Sequence, residues 1–168
     1  MARNLILVGL MGTGKTTVGR ALGAKLGWEQ MDSDQWVEEK TGSPIPTIFK
    51  DKGESYFRDL EAEALQEICE RENQIVTTGG GAPIREQNRR LMKEKGMVVA
   101  LTADYETILK RVRGDENRPL LQGNLEERVA HLMEQRKGLY DFADLIVDTT
   151  GKDVEKIVEE ILDGVRHQ

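Results

Sequence analysis

With 168 residues, 38% of them hydrophobic and 32% charged, the chain is long enough for one domain around a buried core. Its apolar run at residues 5–8 falls far short of the roughly 20 residues a membrane span needs. Twenty-four basic residues against 30 acidic ones leave a net charge of −6, which excludes general nucleic-acid binding. An anionic substrate must therefore be met by a few basic side chains gathered in one cleft.

The first predicted element is a strand over residues 5–8, preceded by Arg3. No small-residue cleavage pattern follows it, so we read the chain as untargeted and cytoplasmic. The single cysteine, Cys69, fits a reducing compartment and reads as a small buried apolar residue on a helix. Directly after the strand comes Gly9-Leu10-Met11-Gly12-Thr13-Gly14-Lys15-Thr16, which matches G-x-x-x-x-G-K-[ST]. The spacing has a physical reason. Glycines let backbone N–H groups converge on a β-phosphate, and the helix that follows aims its positive end there. Lys15 then reaches the β- and γ-phosphates, and the Thr16 hydroxyl can ligate Mg²⁺. A helical pattern through Val18, Ala21 and Leu22 completes the strand–loop–helix context. This is a nucleotide site.

A second strand at residues 29–32 runs into Asp32-Ser33-Asp34. Carboxylates at strand C-termini lie on the ligand-binding edge of an open α/β sheet. Acids one residue apart on an extended chain point to opposite sides, so one can face a metal and the other an acceptor hydroxyl. The plainer alternative is that Asp34 caps a helix over residues 35–40. Gly42, Pro44 and Pro46 break the pattern over residues 41–46 and link two helical segments that could form a small lobe. A helix over residues 54–71 follows, with Phe57, Leu60, Ala64, Leu65 and Ile68 at helical spacing. Arg58 and Glu61 share a face away from that stripe, where a solvated ion pair is the plain reading.

The strand at residues 75–78 ends in Gly79-Gly80-Gly81, which permits close approach and frees N–H donors. A strand at 97–101 precedes a polar segment at 114–124 holding Gly114, Pro119 and Gly123, a candidate mobile lid. A helix over 125–137 stops near Gly138, a last strand covers 145–147, and a final helix spans 153–165. Short strands alternating with helices predict an α/β fold with a parallel sheet. His131 and His167 lack partners at metal-ligand spacing. A GTPase switch would carry N-K-x-D, which is absent, and the D-x-x-G at 148–151 stands too late to sense a γ-phosphate.

Taken together, residues 9–16, Asp32-Ser33-Asp34, Phe57-Arg58, Gly79-Gly80-Gly81, Arg118-Pro119-Leu120-Leu121 and Arg136 occur in an order and spacing that resembles the shikimate kinases. The resemblance implies a P-loop NTPase fold like that of nucleoside monophosphate kinases, with a five-stranded parallel sheet in the order 2-3-1-4-5 flanked by helices. It implies a single kinase domain over residues 1–168, with a substrate lobe at about 33–61 and a lid at about 112–124. The implied activity is ATP-dependent phosphorylation of the 3-hydroxyl of shikimate, giving shikimate 3-phosphate and ADP on the way to chorismate and aromatic amino acids.

The same resemblance assigns ATP to Gly12, Thr13, Gly14, Lys15, Thr16 and Thr17, with Arg111 beside adenine and Arg118 as a lid arginine closing on the transferring phosphoryl group. Shikimate would be held by Asp34, Arg58, Glu61, Gly79, Gly80, Gly81 and Arg136, with Phe49 and Phe57 as its apolar wall. Lys15, Asp34 and Arg118 are the implied catalytic residues, and Thr16 and Asp32 the implied Mg²⁺ ligands. The implied partners are the two small substrates, with no nucleic acid or membrane and a monomeric protein. The chain departs from the family after its last strand. Family members often place an Arg or Gln and a Pro there, whereas Thr150-Gly151-Lys152-Asp153-Val154 holds only Lys152. A kinase for another small acid, such as gluconate, would keep residues 9–16 but has no need of the G-G-G and R-P-L-L combination.

Overall fold

The computed structural model describes residues 4–114 and 124–168. Strands β1 (Leu5–Val8), β2 (Glu29–Asp32), β3 (Gln74–Thr77), β4 (Met97–Thr102) and β5 (Leu145–Asp148) form one sheet in the order β2-β3-β1-β4-β5. All four neighbouring pairs are parallel, as the alternation of elements predicts. β1 lies at the centre and is buried along its whole length. Its side chains alternate between two cores. Leu5 and Leu7 pack with Val18, Leu22, Ile157 and Ile161, from α1 (Lys15–Leu26) and α8 (Val154–Arg166). Ile6 and Val8 pack on the other face with Phe57, Ala64, Ile68 and Met92, from α4 (Glu54–Ile68) and α5 (Glu86–Lys95). A strand covered on both faces must be apolar at every position, which is why Leu5-Ile6-Leu7-Val8 shows no polar alternation.

Two short helices, α2 (Ser33–Thr41) and α3 (Ile45–Lys52), stand between β2 and α4. They meet at Gly42 and Pro44, where the composition predicts a break. α4 ends at Ile68, short of residue 71, and the chain turns through Asn73 in the left-handed region before β3. A third apolar cluster joins α6 (Tyr105–Arg113) to α7 (Leu125–Gln135) through Ile108, Val112 and Val129. Gly138 adopts φ 81, just beyond α7. No helix among the described residues is long and apolar enough to cross a membrane. Cys69 is buried and its thiol is pushed up to about 11 by that burial, consistent with a packing role. The segment at 115–123, with Arg118 and most of the expected lid, lies outside the described residues.

Candidate active site

The carboxyl ends of the strands open on a cleft of about 580 Å³. Such sheet edges collect functional side chains because every βα loop starts there. On one side, β1 turns at Gly9, whose φ is 145 and whose missing Cβ would lie 2.4 Å from the Leu101 carbonyl. Only glycine fits that approach. The loop reaches α1 through Gly14 at φ 98, and no side chain caps the helix and no acid occupies its first turn. An uncapped helix start leaves N–H donors and a positive dipole end facing the cleft. Lys15 Nζ donates to the carbonyls of Gly9 at 2.5 Å and Leu10 at 2.9 Å, which folds the ammonium back over the loop. Gly12, Gly14, Lys15, Thr16 and Thr17 line the cleft. Thr13 does not; its side chain is buried and donates to Leu10 O at 2.7 Å.

Asp32 ends β2 and caps α2, accepting from the Gln35 N–H at 3.0 Å. This corrects the plainer reading, which gave the cap to Asp34. It also removes the extended-chain argument for the two acids, because the backbone is already helical at Ser33. Helical geometry still parts them. Asp32 is held at the strand end by the Thr77 hydroxyl at 2.7 Å, its neighbour in the sheet register, while Asp34 turns to Gly79. Asp32 and the exposed Thr16 thus offer hard oxygen donors on one cleft wall, a donor set that suits Mg²⁺ with its own waters. No group of three or more His, Cys, Asp or Glu able to hold a metal occurs among the described residues.

Just past the end of β3 the three glycines meet one ligand-type side chain each. A Cβ on Gly79 would lie 2.8 Å from Asp34 Oδ1, one on Gly80 2.7 Å from Arg136 Nη1, and one on Gly81 2.4 Å from Arg58 Nη2. None of these glycines adopts a positive φ, so close approach, and not backbone freedom, requires them here. Side chains from α2, α4 and the end of α7 therefore converge on a strand end that any larger residue would block. Gly79 N–H is taken by Ser33 Oγ at 3.3 Å, whereas the N–H groups of Gly80 and Gly81 meet no protein acceptor among the described residues.

Arg58 and Glu61 do not form the solvated pair that their spacing first suggests. Glu61 is 1% exposed and Arg58 9%, and they bond at 3.0 Å inside the cleft. Glu61 Oε2 has no hydrogen-bond partner among the described residues, and burial raises the carboxyl's pKa against the opposing pull of Arg58. Asp34 is pushed up to about 7, first by burial, then by Asp32 and Glu61, with Lys15 pulling it down. A carboxylate poised near neutrality can accept a hydroxyl proton. Phe57 and Phe49 line the floor with ring centroids 4.9 Å apart.

At the other end of the cleft, Arg111 donates to Gly12 O at 3.0 Å, Thr149 Oγ1 at 3.1 Å and Thr149 O at 3.3 Å. These bonds hold it to the phosphate loop and to the residue after β5, with the guanidinium faces left open to a stacked ring. Lys152 turns away to Glu160 of α8 at 3.0 Å. Sequence reasoning missed Thr77, Tyr140 and Thr149. Thr77 and Thr149 hold Asp32 and Arg111, and Tyr140 bonds Gly80 O, yet none belongs to a spaced motif. Thr77, one strand over from Asp32, had a faint signal in its position before the glycine run.

A shikimate kinase family model matches residues 11–166. The shikimate kinase of Persephonella marina is 46% identical over 164 residues, covering 98% of this chain and 99% of that one. That of Geobacter sulfurreducens is 48% identical over 168 residues, covering 99% and 93%. Among solved structures, the Acinetobacter baumannii shikimate kinase in complex with shikimate is similar at a TM-score of 0.93 and 40% identity, covering 99% of this chain and 94% of that one. A gluconokinase from Sinorhizobium meliloti, 19% identical with a TM-score of 0.61 over 99% and 93% of the two chains, shares the fold alone.

Proposed function

The chain belongs to the shikimate kinase family, and on that premise we propose how its cleft transfers the γ-phosphoryl group of ATP to the 3-hydroxyl of shikimate. The carrying observation is the row of three glycines with Asp34, Arg136 and Arg58 packed one against each, beside an uncapped helix start bearing Lys15. One half of such a cleft suits a polyphosphate and the other an acid with ring hydroxyls.

In this reading the N-terminal amides of α1 and Lys15 hold the triphosphate. Arg58 and Arg136 present planar guanidinium edges to the acceptor carboxylate, which such groups bind bidentately. Asp34 takes the ring hydroxyl, orients it and accepts its proton as the hydroxyl oxygen bonds to γ-phosphorus. The bond from that phosphorus to the β–γ bridging oxygen breaks, and ADP leaves. Because the transition state is loose, positioning and charge neutralisation outweigh base strength. Lys15 neutralises the phosphate charge from this chain, and Arg118 is assigned to the same task in the segment outside the described residues. Thr16 and Asp32 would hold Mg²⁺, which when bound neutralises further phosphate charge. Arg111 fixes the loop through Gly12 O and offers adenine its face. We assign the protein as a monomer acting on these two small substrates, and one buried thiol suits the cytoplasm.

The test is an ADP-release assay across acceptors, with the product's phosphorus located by phosphorus–proton NMR. Shikimate should turn over with coupling to the C3 proton. Faster turnover of gluconate, or coupling to another ring carbon, would overturn the acceptor assignment.

A further inference from the structure

Tyr140 lies beyond the end of α7, half-buried against the core that contains Phe57 and Val8. Its hydroxyl donates to Gly80 O at 2.6 Å, and Tyr140 follows Arg136 by four residues on the same turn. Burial raises the phenol's pKa, and Arg136 opposes that shift. One hydroxyl thus ties together two parts of the acceptor wall that are far apart in sequence. Arg136 Nη1 lies 2.7 Å from where a Cβ on Gly80 would be, so the same glycine receives the guanidinium and the phenol's hydrogen bond.

The bond to Gly80 O has a second consequence. In a planar trans peptide the carbonyl of one residue is antiparallel to the N–H of the next. Holding Gly80 O toward Tyr140 therefore fixes the direction of the Gly81 N–H, which meets no protein acceptor among the described residues. A ligand-free guanidinium on a long side chain would otherwise sample many rotamers and lose that freedom on binding.

We infer that Tyr140 is a positioning residue for acceptor binding, pinning the turn that carries Arg136 to the peptide between Gly80 and Gly81 in the geometry an incoming carboxylate requires. This rests on the reading of Arg136 as a carboxylate partner. Tyr140 touches neither phosphate loop nor transferring group, so its effect should fall on the acceptor's KM and spare kcat.

The experiment compares the parent, Tyr140→Phe, Arg136→Gln and the double variant by shikimate calorimetry and steady-state kinetics. The Phe variant keeps the ring in the core, so its packing is preserved. Tyr140→Phe should weaken shikimate binding by about tenfold, with kcat and the KM for ATP within about twofold. The double variant should lose less affinity than the two single losses combined, because without Arg136 only the hold of Tyr140 on the Gly80–Gly81 peptide is left to lose. Shikimate methyl ester, which lacks the carboxylate charge, should bind Tyr140→Phe and the parent alike. Parent-like shikimate affinity in Tyr140→Phe, with Arg136→Gln impaired, would overturn the inference and spare the carboxylate reading. So would full additivity in the double variant. Unimpaired binding by Arg136→Gln would remove the carboxylate reading itself and this inference with it.

Discussion

The two halves of the cleft are built in different ways. The proposed phosphate side is made largely of backbone from one continuous stretch, with Gly9, Gly14 and the uncapped start of α1 supplying shape and N–H donors. The proposed acceptor side is made of side chains from separate segments, Asp34 on α2, Arg58 and Glu61 on α4 and Arg136 past α7, brought together on Gly79, Gly80 and Gly81. Backbone donors belong to a loop whose shape is fixed locally. Long side chains need partners to hold them, and here those partners are themselves charged and buried.

The largest expected effect tests the phosphate half. Lys15→Met removes the ammonium that folds over the loop and should lower kcat by about a thousandfold, an electrostatic loss of the size seen when a preorganised donor is deleted. Circular dichroism and the melting midpoint should stay near parental values, because Thr13 also holds Leu10 O and the loop's glycines set its path. Near-normal turnover would take Lys15 out of the chemistry.

The acceptor half should break differently. Arg58→Ala should raise the KM for shikimate about a hundredfold while leaving that for ATP within about threefold. It should also cost stability, since Glu61, 1% exposed, would keep a buried carboxylate without its 3.0 Å partner. Losing one member of a buried pair costs about 3–5 kcal/mol. An Arg58→Ala protein as stable as its parent would show that Glu61 is neutral in the fold. Equal effects on both substrates would erase the division between the halves.

The third effect is read in stability alone, where function is traded against it. Asp34 has its pKa raised from 3.8 to about 7 in the fold, and burial is the first cause. A carboxyl with a raised folded pKa opposes folding once the unfolded chain ionises, so its penalty is absent below about pH 4, grows as pH climbs and is complete above about pH 7. At about 1.4 kcal/mol per unit, the full penalty is on the order of 4 kcal/mol. In protein free of nucleotide and Mg²⁺, Asp34→Asn should therefore melt higher than the parent at pH 8, and the gain should vanish near pH 4. A gain independent of pH would assign it to packing and not to charge.

The sequence by itself determined the sheet, the loop and most of the residues that face the cleft. Strands buried on both faces declare themselves as unbroken apolar runs, and a phosphate loop is a local object whose eight residues carry its whole shape. Spacing also gave Arg58 and Glu61 one helical face. Only the tertiary structure decided that this face looks into a buried cleft, that Asp32 and not Asp34 caps α2, and that the three glycines are there for the side chains packed on them. It also decided the roles of Thr77, Thr149 and Tyr140 as anchors. The physical reason is range. Helix periodicity and loop geometry are set by neighbours in the chain, whereas burial, a pKa and the hydrogen bond from Tyr140 to Gly80 depend on residues that meet only when the sheet closes.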